Sequence, residues 1–273
     1  MTTRATTAVI LARGLGSRMQ QTDAHATMTA VQAAMADTGV KALIPDARNR
    51  PLLDHILTAL ADGGVTDVCL VVAPDHRAID AHYQGHPTRR IALATVVQAE
   101  ARGTANALLA AEAWLAGRSA LVLNADNLYP VAAIRALVDL GAPGLIAFEP
   151  QALVADGNIA PERLAAFAIL DIRADGTLAR IVEKPDTATL PAGGPTPWIS
   201  MNIWRFDHGI FAACRAVPRS VRGEYELPMA VQFALDGGAI FQAIRLRAGV
   251  LDLSYRADIA AVAVRLGALA VNT

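Results

Sequence analysis

The chain has 273 residues, 53% of them apolar and 18% charged, which is ample material for one large core and excludes disorder as the main state. Lys and Arg number 24 against 25 Asp and Glu, a net charge of -1. No global field therefore holds a nucleic-acid backbone or an anionic membrane surface, and any bound anion must be gripped by a local site.

The N-terminal residues MTTRATTAVILARG lack the long apolar region and small-residue cleavage site of a secretory signal, so a cytoplasmic protein is expected. Residues 5–11, 67–73, 90–98 and 119–125 are short, β-branched apolar runs that read as buried strands. A short helix is read over Thr29–Ala36, with Thr27 or Thr29 as cap and Gly39 as stop. Residues 51–64 carry Leu53, Ile56, Leu57 and Leu60 at helical spacing and end in Gly-Gly, and residues 103–117 and 129–141 repeat that pattern. Strands alternating with helices imply βαβ units, a mostly parallel sheet and helices on both faces. The fold class is three-layer αβα, Rossmann-like.

After Gly141 the rhythm changes. AAFAILDI and TLARIVEK flank Asp175-Gly176, the signal of a β-hairpin. Further strands are expected over 198–206 and 239–246, with helices near 207–216, 224–236 and 256–271. Thr187–Trp204 is the longest charge-free stretch, but its prolines and glycines make it a loop running into a strand, not a membrane span. This half reads as a small β-rich sub-lobe on the same sheet, and a single domain over 1–273 is expected. Only Cys69 and Cys214 are present, without CxxC or Cys/His spacing, so they read as buried inert thiols.

Open α/β sheets bind ligands at the carboxyl ends of their strands. The first such loop is Leu11-Ala12-Arg13-Gly14-Leu15-Gly16-Ser17-Arg18-Met19. Gly14 and Gly16 let the backbone approach a ligand, its amides can cradle phosphate oxygens, and Arg18 can add a bidentate fork. Met19 stands where a dinucleotide fingerprint needs a third glycine, and no GxxxxGK[ST] occurs. Of the basic residues only Lys41 and Lys184 are lysines, which marks two places where a compact ammonium can serve better than a planar fork. Asp126 and Asp252 each follow an apolar run; the one can equally be a helix cap and the other a turn residue. The six histidines form no HExxH or metal-like cluster, and no GxSxG elbow is present.

Taken in order, these pieces resemble the sugar-nucleotide pyrophosphorylases, the nucleoside-triphosphate:sugar-1-phosphate nucleotidyltransferases. LARGLGSRM corresponds to their glycine-rich opening, Lys41 in VKALIP to a lysine before an apolar strand, and Pro51–Ile56 to their first helix. Gln98 with Gly103-Thr104-Ala105, Asn124–Asn127, Glu183-Lys184-Pro185, Arg222–Leu227, and Leu251–Leu253 with Asp258 follow in family order, so the resemblance spans nearly the whole chain. It implies a nucleotide-binding half over about 1–140, a sugar-phosphate-binding half over about 141–255 and a C-terminal helix over 256–271.

The reaction implied is transfer of a nucleoside monophosphate from an NTP to a sugar 1-phosphate, giving NDP-sugar and pyrophosphate. A sugar 1-phosphate is already an anionic nucleophile, so the chemistry needs two polyanions held in line more than it needs a strong base. The resemblance assigns Arg18 and Lys41 to the triphosphate and leaving pyrophosphate, and Lys184 to the sugar phosphate. It gives Ala12, Gly14, Gly16, Gln98, Gly103 and Thr104 to the nucleotide, Glu183 and Asn202 to the sugar-phosphate side, and Asp126 and Asp252 to Mg²⁺. Adjacent strand residues point to opposite faces, so Glu183 and Lys184 can both reach ligand only if the strand end twists or bulges. The expected partners are the NTP and sugar 1-phosphate, with a homo-oligomer possible and neither nucleic acid nor membrane. Alternatives are a cytidylyltransferase acting on a non-sugar phosphate such as phosphocholine, and a catalytically silent NDP-sugar-binding regulatory homologue.

Three departures stand out. Arg13 replaces the small residue usually beside Gly14, Asn202 stands where a glycine usually lines the sugar pocket, and Met229 replaces an aspartate. The connection from Arg18 to Lys41 is long for the family, and the 19–40 segment is expected to form a flap that orders on nucleotide binding, against the alternative of a permanently docked helix.

Overall fold

The computed structural model describes residues 4–14, 16–21, 23, 26–183 and 197–273. Its main sheet contains β1 (Thr7–Leu11), β2 (Asp67–Val72), β3 (Ala92–Val97) and β4 (Ala120–Asn124). A two-residue strand β5 (Asn127–Leu128) follows, then β6 (Gly144–Phe148), β7 (Ala168–Ile172), β8 (Leu178–Val182), β9 (Trp198–Phe206), β10 (Gln242–Leu246) and β11 (Leu251–Asp252). The sheet order is β10-β6-β9-β4-β1-β2-β3. All neighbours are parallel except β9, which runs antiparallel to both β4 and β6. The β7/β8 hairpin joins through β7 to β9, so the expected sub-lobe grows from the central sheet. β5 and β11 form a separate two-stranded antiparallel ribbon.

Alternation along the strands divides the apolar residues into two cores, one on each face. Ala8 and Ile10 pack into one with the helices Leu52–Gly63, Val131–Asp139 and Asp258–Gly267. Val9 and Leu11 pack into the other with Thr104–Ala110, Ile210–Ala216 and Leu227–Asp236. This is the three-layer αβα arrangement. Both thiols are buried, which pushes Cys69 and Cys214 up to about 12.

Several expectations need correction. The run at 90–98 is an edge strand, not a buried one: β3 is half-exposed along its length. The helix expected over 103–117 breaks at Ala111 into Thr104–Ala110 and Glu112–Leu115. β6 carries GLIAF without polar alternation because helices cover both its faces. The loop part of Thr187–Trp204 lies outside the described residues, while Trp198–Phe206 is the strand β9. Among the described residues no helix is long and apolar enough to cross a membrane.

The short helix is Ala30–Thr38, closed by a reciprocal Thr29/Gln32 capping box and by Gly39 in the left-handed conformation. It is docked: Ala36 is 0% exposed in the core, and the buried Gln32 side chain donates to Pro45 O at 2.9 Å. Arg256 pins the segment from the far end of the chain, pairing with Asp37 and donating to Met19 O at 2.6 Å. Residues 30–38 thus take the docked arrangement in this structure.

Candidate active site

Two cavities adjoin at the carboxyl ends of the parallel strands. The larger, about 310 Å³, is lined by Ala12, Gly14, Gly16, Lys41, Gln98, Gly103, Thr104 and Asp126 among the residues singled out from the sequence. The two loop glycines have different reasons to be glycine. Around Gly14 a Cβ would meet nothing within 4 Å, so that backbone is open to a ligand. At Gly16, with φ +60°, a Cβ would lie 2.3 Å from Gly39 O, and this contact fastens the loop to the chain entering Lys41. Gly103, with φ +101°, is pressed against Tyr225 in the same way, at 2.5 Å from its oxygen.

Lys41 Nζ donates to Asp126 Oδ2 at 2.9 Å, on the wall of this cavity. Asp126 follows β4 and ends the turn into β5, and the ribbon pairs Asn127 with Asp252. That pairing brings the two carboxylates together. The Asn127 amide, oriented by its hydrogen-bonding pattern, donates to Asp126 Oδ1 and Asp252 Oδ1, both at 3.1 Å. Asp252 is 3% exposed and does not line the cavity. It accepts from Arg163 at 2.5 Å and from Ser254 Oγ at 3.0 Å. Burial, reinforced by the neighbouring Asp126 charge, pushes its carboxyl up to about 6, against the opposing Ser254 hydrogen bond and Arg163 charge.

Gln98 is 4% exposed, and its amide nitrogen is spent within the protein, on Gly103 O at 3.1 Å and Asn106 Oδ1 at 2.8 Å. What it can offer a ligand is its oxygen, an acceptor. Arg13 lines the same cavity, donating weakly from Nε to Gln98 O at 3.4 Å, with Nη1 buried and without a partner among the described residues. Arg18 is exposed and does not line the cavity; its guanidinium sits 5.5 Å from the centre of the Tyr255 ring, which Arg163 also covers at 4.9 Å.

The second cavity, about 200 Å³, shares Thr104 and Asn124 with the first and adds Glu183, Asn202, Arg222 and Glu226. Thr104 Oγ1 accepts from Leu227 N at 2.8 Å, while Tyr225 N donates to Arg102 O at 2.8 Å. The Arg222–Leu227 motif is thus stitched to the Gly103-Thr104 motif where the cavities meet. Glu183 lies immediately beyond the end of β8. Lys184 is outside the described residues.

The model of the family described as "Nucleotidyl transferase" matches residues 7–248. The chain belongs to this family. Its relatives include the UTP–glucose-1-phosphate uridylyltransferase AglF of Haloferax volcanii, 25% identical over 92% of both chains. A glucose-1-phosphate thymidylyltransferase of Streptomyces antibioticus is also 25% identical, over 92% of this chain but 63% of that longer protein. A solved UDP-glucose pyrophosphorylase in complex with UDP-glucose shares the fold with a TM-score of 0.73 at 14% identity, covering 96% of this chain and 98% of that one.

In this nucleotidyltransferase some contacts carry no motif in the sequence. Arg163, on the 3₁₀ turn Pro161–Ala166, bridges Asp252 and Asp258, the second at 2.8 Å. Asn158 clamps the Asp252 backbone in both directions, at 2.8 and 2.7 Å. Asn106 fixes Gln98 but lies one turn into a helix, where it reads as an ordinary polar position.

Proposed function

We propose that this chain transfers a nucleoside monophosphate from an NTP to a sugar 1-phosphate. The observation that carries this reading is the pair of adjoining cavities: one has an open glycine loop beside Lys41, Asp126 and Gln98, the other polar groups for an acceptor. The relatives named for glucose 1-phosphate support the choice of acceptor.

An oxygen of the sugar phosphate attacks the α-phosphorus, the bond from that phosphorus to the β-phosphate oxygen breaks, and pyrophosphate leaves. The nucleophile arrives deprotonated, so no side chain has to remove a proton. Lys41 and the amides of the Gly14–Gly16 loop hold the triphosphate, and Lys184 holds the sugar phosphate. Arg18 joins them by leaving the Tyr255 ring. Gln98 Oε1 accepts an N–H from the base edge, and Glu183 faces sugar hydroxyls. Charge neutralisation and alignment are the catalytic effects.

Asp126, on the cavity wall, fits Mg²⁺ as a hard oxygen ligand, while Asp252, off that wall and paired with Arg163, would have to exchange that partner to join it. Asp126 and Asp252 are hard oxygen donors held side by side by Asn127. No group of three or more His, Cys, Asp and Glu able to hold a metal occurs among the described residues. One or two carboxylates, with phosphate and water completing the shell, is a common way to bind Mg²⁺. When bound there, Mg²⁺ supplies charge neutralisation on the phosphates.

The test is a matrix of nucleoside triphosphates against sugar 1-phosphates with Mg²⁺, read as pyrophosphate release. Turnover of at least one pair is expected. Silence across glucose, galactose, mannose, N-acetylglucosamine and heptose phosphates would remove the sugar-phosphate reading.

A further inference from the structure

The main sheet has two edges, and only one of them is guarded. At β10 the hairpin turn covers the start of the open side: Thr177 bridges to Gln242, Ala243 N donates to Gly176 O at 2.9 Å, and Arg245 adds a charge farther along. Covering loops and charged side chains keep a sheet edge from pairing with another chain. β3, the opposite edge, has neither. Its segment Ile91–Ala99 holds no charged residue and no proline, and among the described residues only β2 pairs with it. Ala92 N donates to Thr66 O at 2.7 Å and Gln98 N to Val72 O at 2.9 Å, so the even-numbered residues turn their backbone toward β2. Leu93, Thr95 and Val97 therefore turn their N–H and C=O groups outward.

The side chains along this edge complement one another. Leu93 packs against the core on one face of the sheet and Val96 against the core on the other, so alternation sets Leu93, Thr95 and Val97 on a single face. Beside β3, an open groove of about 460 Å³ has Ile79, Tyr83, Pro87, Ile91 and Leu93 as its apolar lining. Val97 is 46% exposed, although it is a large apolar residue in the main sheet.

We propose that two copies of this chain pair antiparallel along β3, about a two-fold axis at Thr95. In that register Leu93 stands opposite Val97 of the second copy, Thr95 opposite Thr95, and Val97 opposite Leu93. Each of these residues presents its backbone outward, so all three are hydrogen-bonded pairs and together they form six bonds. Opposite residues share a face, so each exposed Val97 is set against the Leu93 that lines the other copy's groove, and two threonine hydroxyls meet at the axis. A slip by two residues brings in Ile91, whose oxygen already accepts from Thr88 Oγ1 at 2.7 Å, or Ala99, which lies beyond the strand. A parallel pairing would set the exposed Arg89 beside its own copy, whereas the antiparallel sense sets it toward the end that holds Glu100. The occupant is a second copy because this edge is its own complement in side chains and in hydrogen-bonding pattern, as an isologous contact requires. The two nucleotide cavities then open at opposite ends of one continuous sheet. An interface built on one strand pair is small, so a reversible dimer with a Kd on the order of 10 µM is expected.

Sedimentation equilibrium of the full chain from about 1 to about 200 µM tests this. The wild type is expected to rise from 28.6 kDa toward twice that mass. Thr95→Pro removes an N–H that β2 does not use, and an edge strand tolerates proline at such a position. Its dimer is expected to be at least tenfold weaker, with an unchanged melting temperature. Thr95→Lys and Thr95→Glu, at the same exposed position, place like charges opposite each other at the axis. Each alone is expected to stay monomeric over the whole range, while their equimolar mixture dimerises. A wild type that is still monomeric at the highest concentration overturns the proposal, as does Thr95→Lys dimerising as tightly as the wild type. A mixture of the two charged variants that stays monomeric while the wild type dimerises overturns the register centred on Thr95.

Discussion

Lys41 and Asp126, 85 residues apart in sequence, meet as an ion pair at 2.9 Å on the cavity wall. Both side chains are partly exposed, at 19% and 27%, so the pair contributes at most about 1 kcal/mol to stability. The cation proposed to grip triphosphate and the carboxylate proposed to hold Mg²⁺ thus occupy one spot, and their value is chemical more than structural. Lys41→Met is expected to lower kcat/KM for the NTP at least tenfold, since a lost charge-assisted contact is worth roughly 1.5–3 kcal/mol, while the melting temperature barely moves. Asp126→Asn is expected to flatten the Mg²⁺ titration; an unchanged metal dependence would reduce Asp126 to the partner of Lys41.

Gly103, on the wall of the first cavity, leaves no room for a single methyl. Its φ of +101° and the 2.5 Å approach of a Cβ to the Tyr225 oxygen combine strain with a clash against backbone. Gly103→Ala is therefore expected to cost on the order of 2–4 kcal/mol in chemical denaturation. Gly14→Ala, with open space around it, is expected to leave stability within about 0.5 kcal/mol and to act on NTP binding instead.

His55 is one source of the pH dependence of folding. Its Nε2 lies 3.0 Å from Asp46 Oδ2 and both side chains are 1% exposed. Burial lowers its pKa below 6.5, outweighing the hydrogen bond and charge of Asp46 that favour the imidazolium. The unfolded chain takes up this proton more readily than the folded one. Stability from this group is thus present above pH 6.5 and lost as pH falls through that value toward the folded-state pKa, by no more than about 1.4 kcal/mol per pH unit. Denaturation of His55→Gln across pH 5–8 is expected to show a shallower fall below pH 6.5 than the wild type; parallel curves would assign the acid loss elsewhere.

The docking of Ala30–Thr38 predicts that its amides are protected from hydrogen exchange before nucleotide is added. Exchange at residues 30–38 that slows only on adding NTP would restore the flap.

Much of this fold was legible because local and global signals agree. WISMNIWRF coincides with β9, and Thr29 with Gly39 bound their helix as capping chemistry dictates. GLIAF escaped notice because a strand covered on both faces loses its alternation, and two-residue strands such as β5 have no pattern to lose. The same division holds at the site. Ala12, Gly14, Gly16, Lys41, Gln98, Gly103, Thr104 and Asp126 converge on one cavity from motifs readable in order. The partners that orient Gln98 and Asp252, namely Asn106 for the first and Arg163 and Asn158 for the second, act through distance in space, for which a single sequence holds no signal. Asn202 shows a third case: its residue type was visible, but its left-handed backbone and orphaned oxygen are properties of a bulge.

The β5/β11 ribbon has a consequence for biogenesis. Asn127 meets Asp252 only when the far end of the chain folds back across the first half. During vectorial synthesis the glycine loop, Lys41 and Asp126 all emerge well before their second carboxylate is made. Domains commonly begin to fold from the N-terminus as they are translated. The glycine loop, Lys41 and Asp126 can therefore be in place early, yet the pairing of the Asp126 and Asp252 carboxylates forms only after residue 252 has left the ribosome.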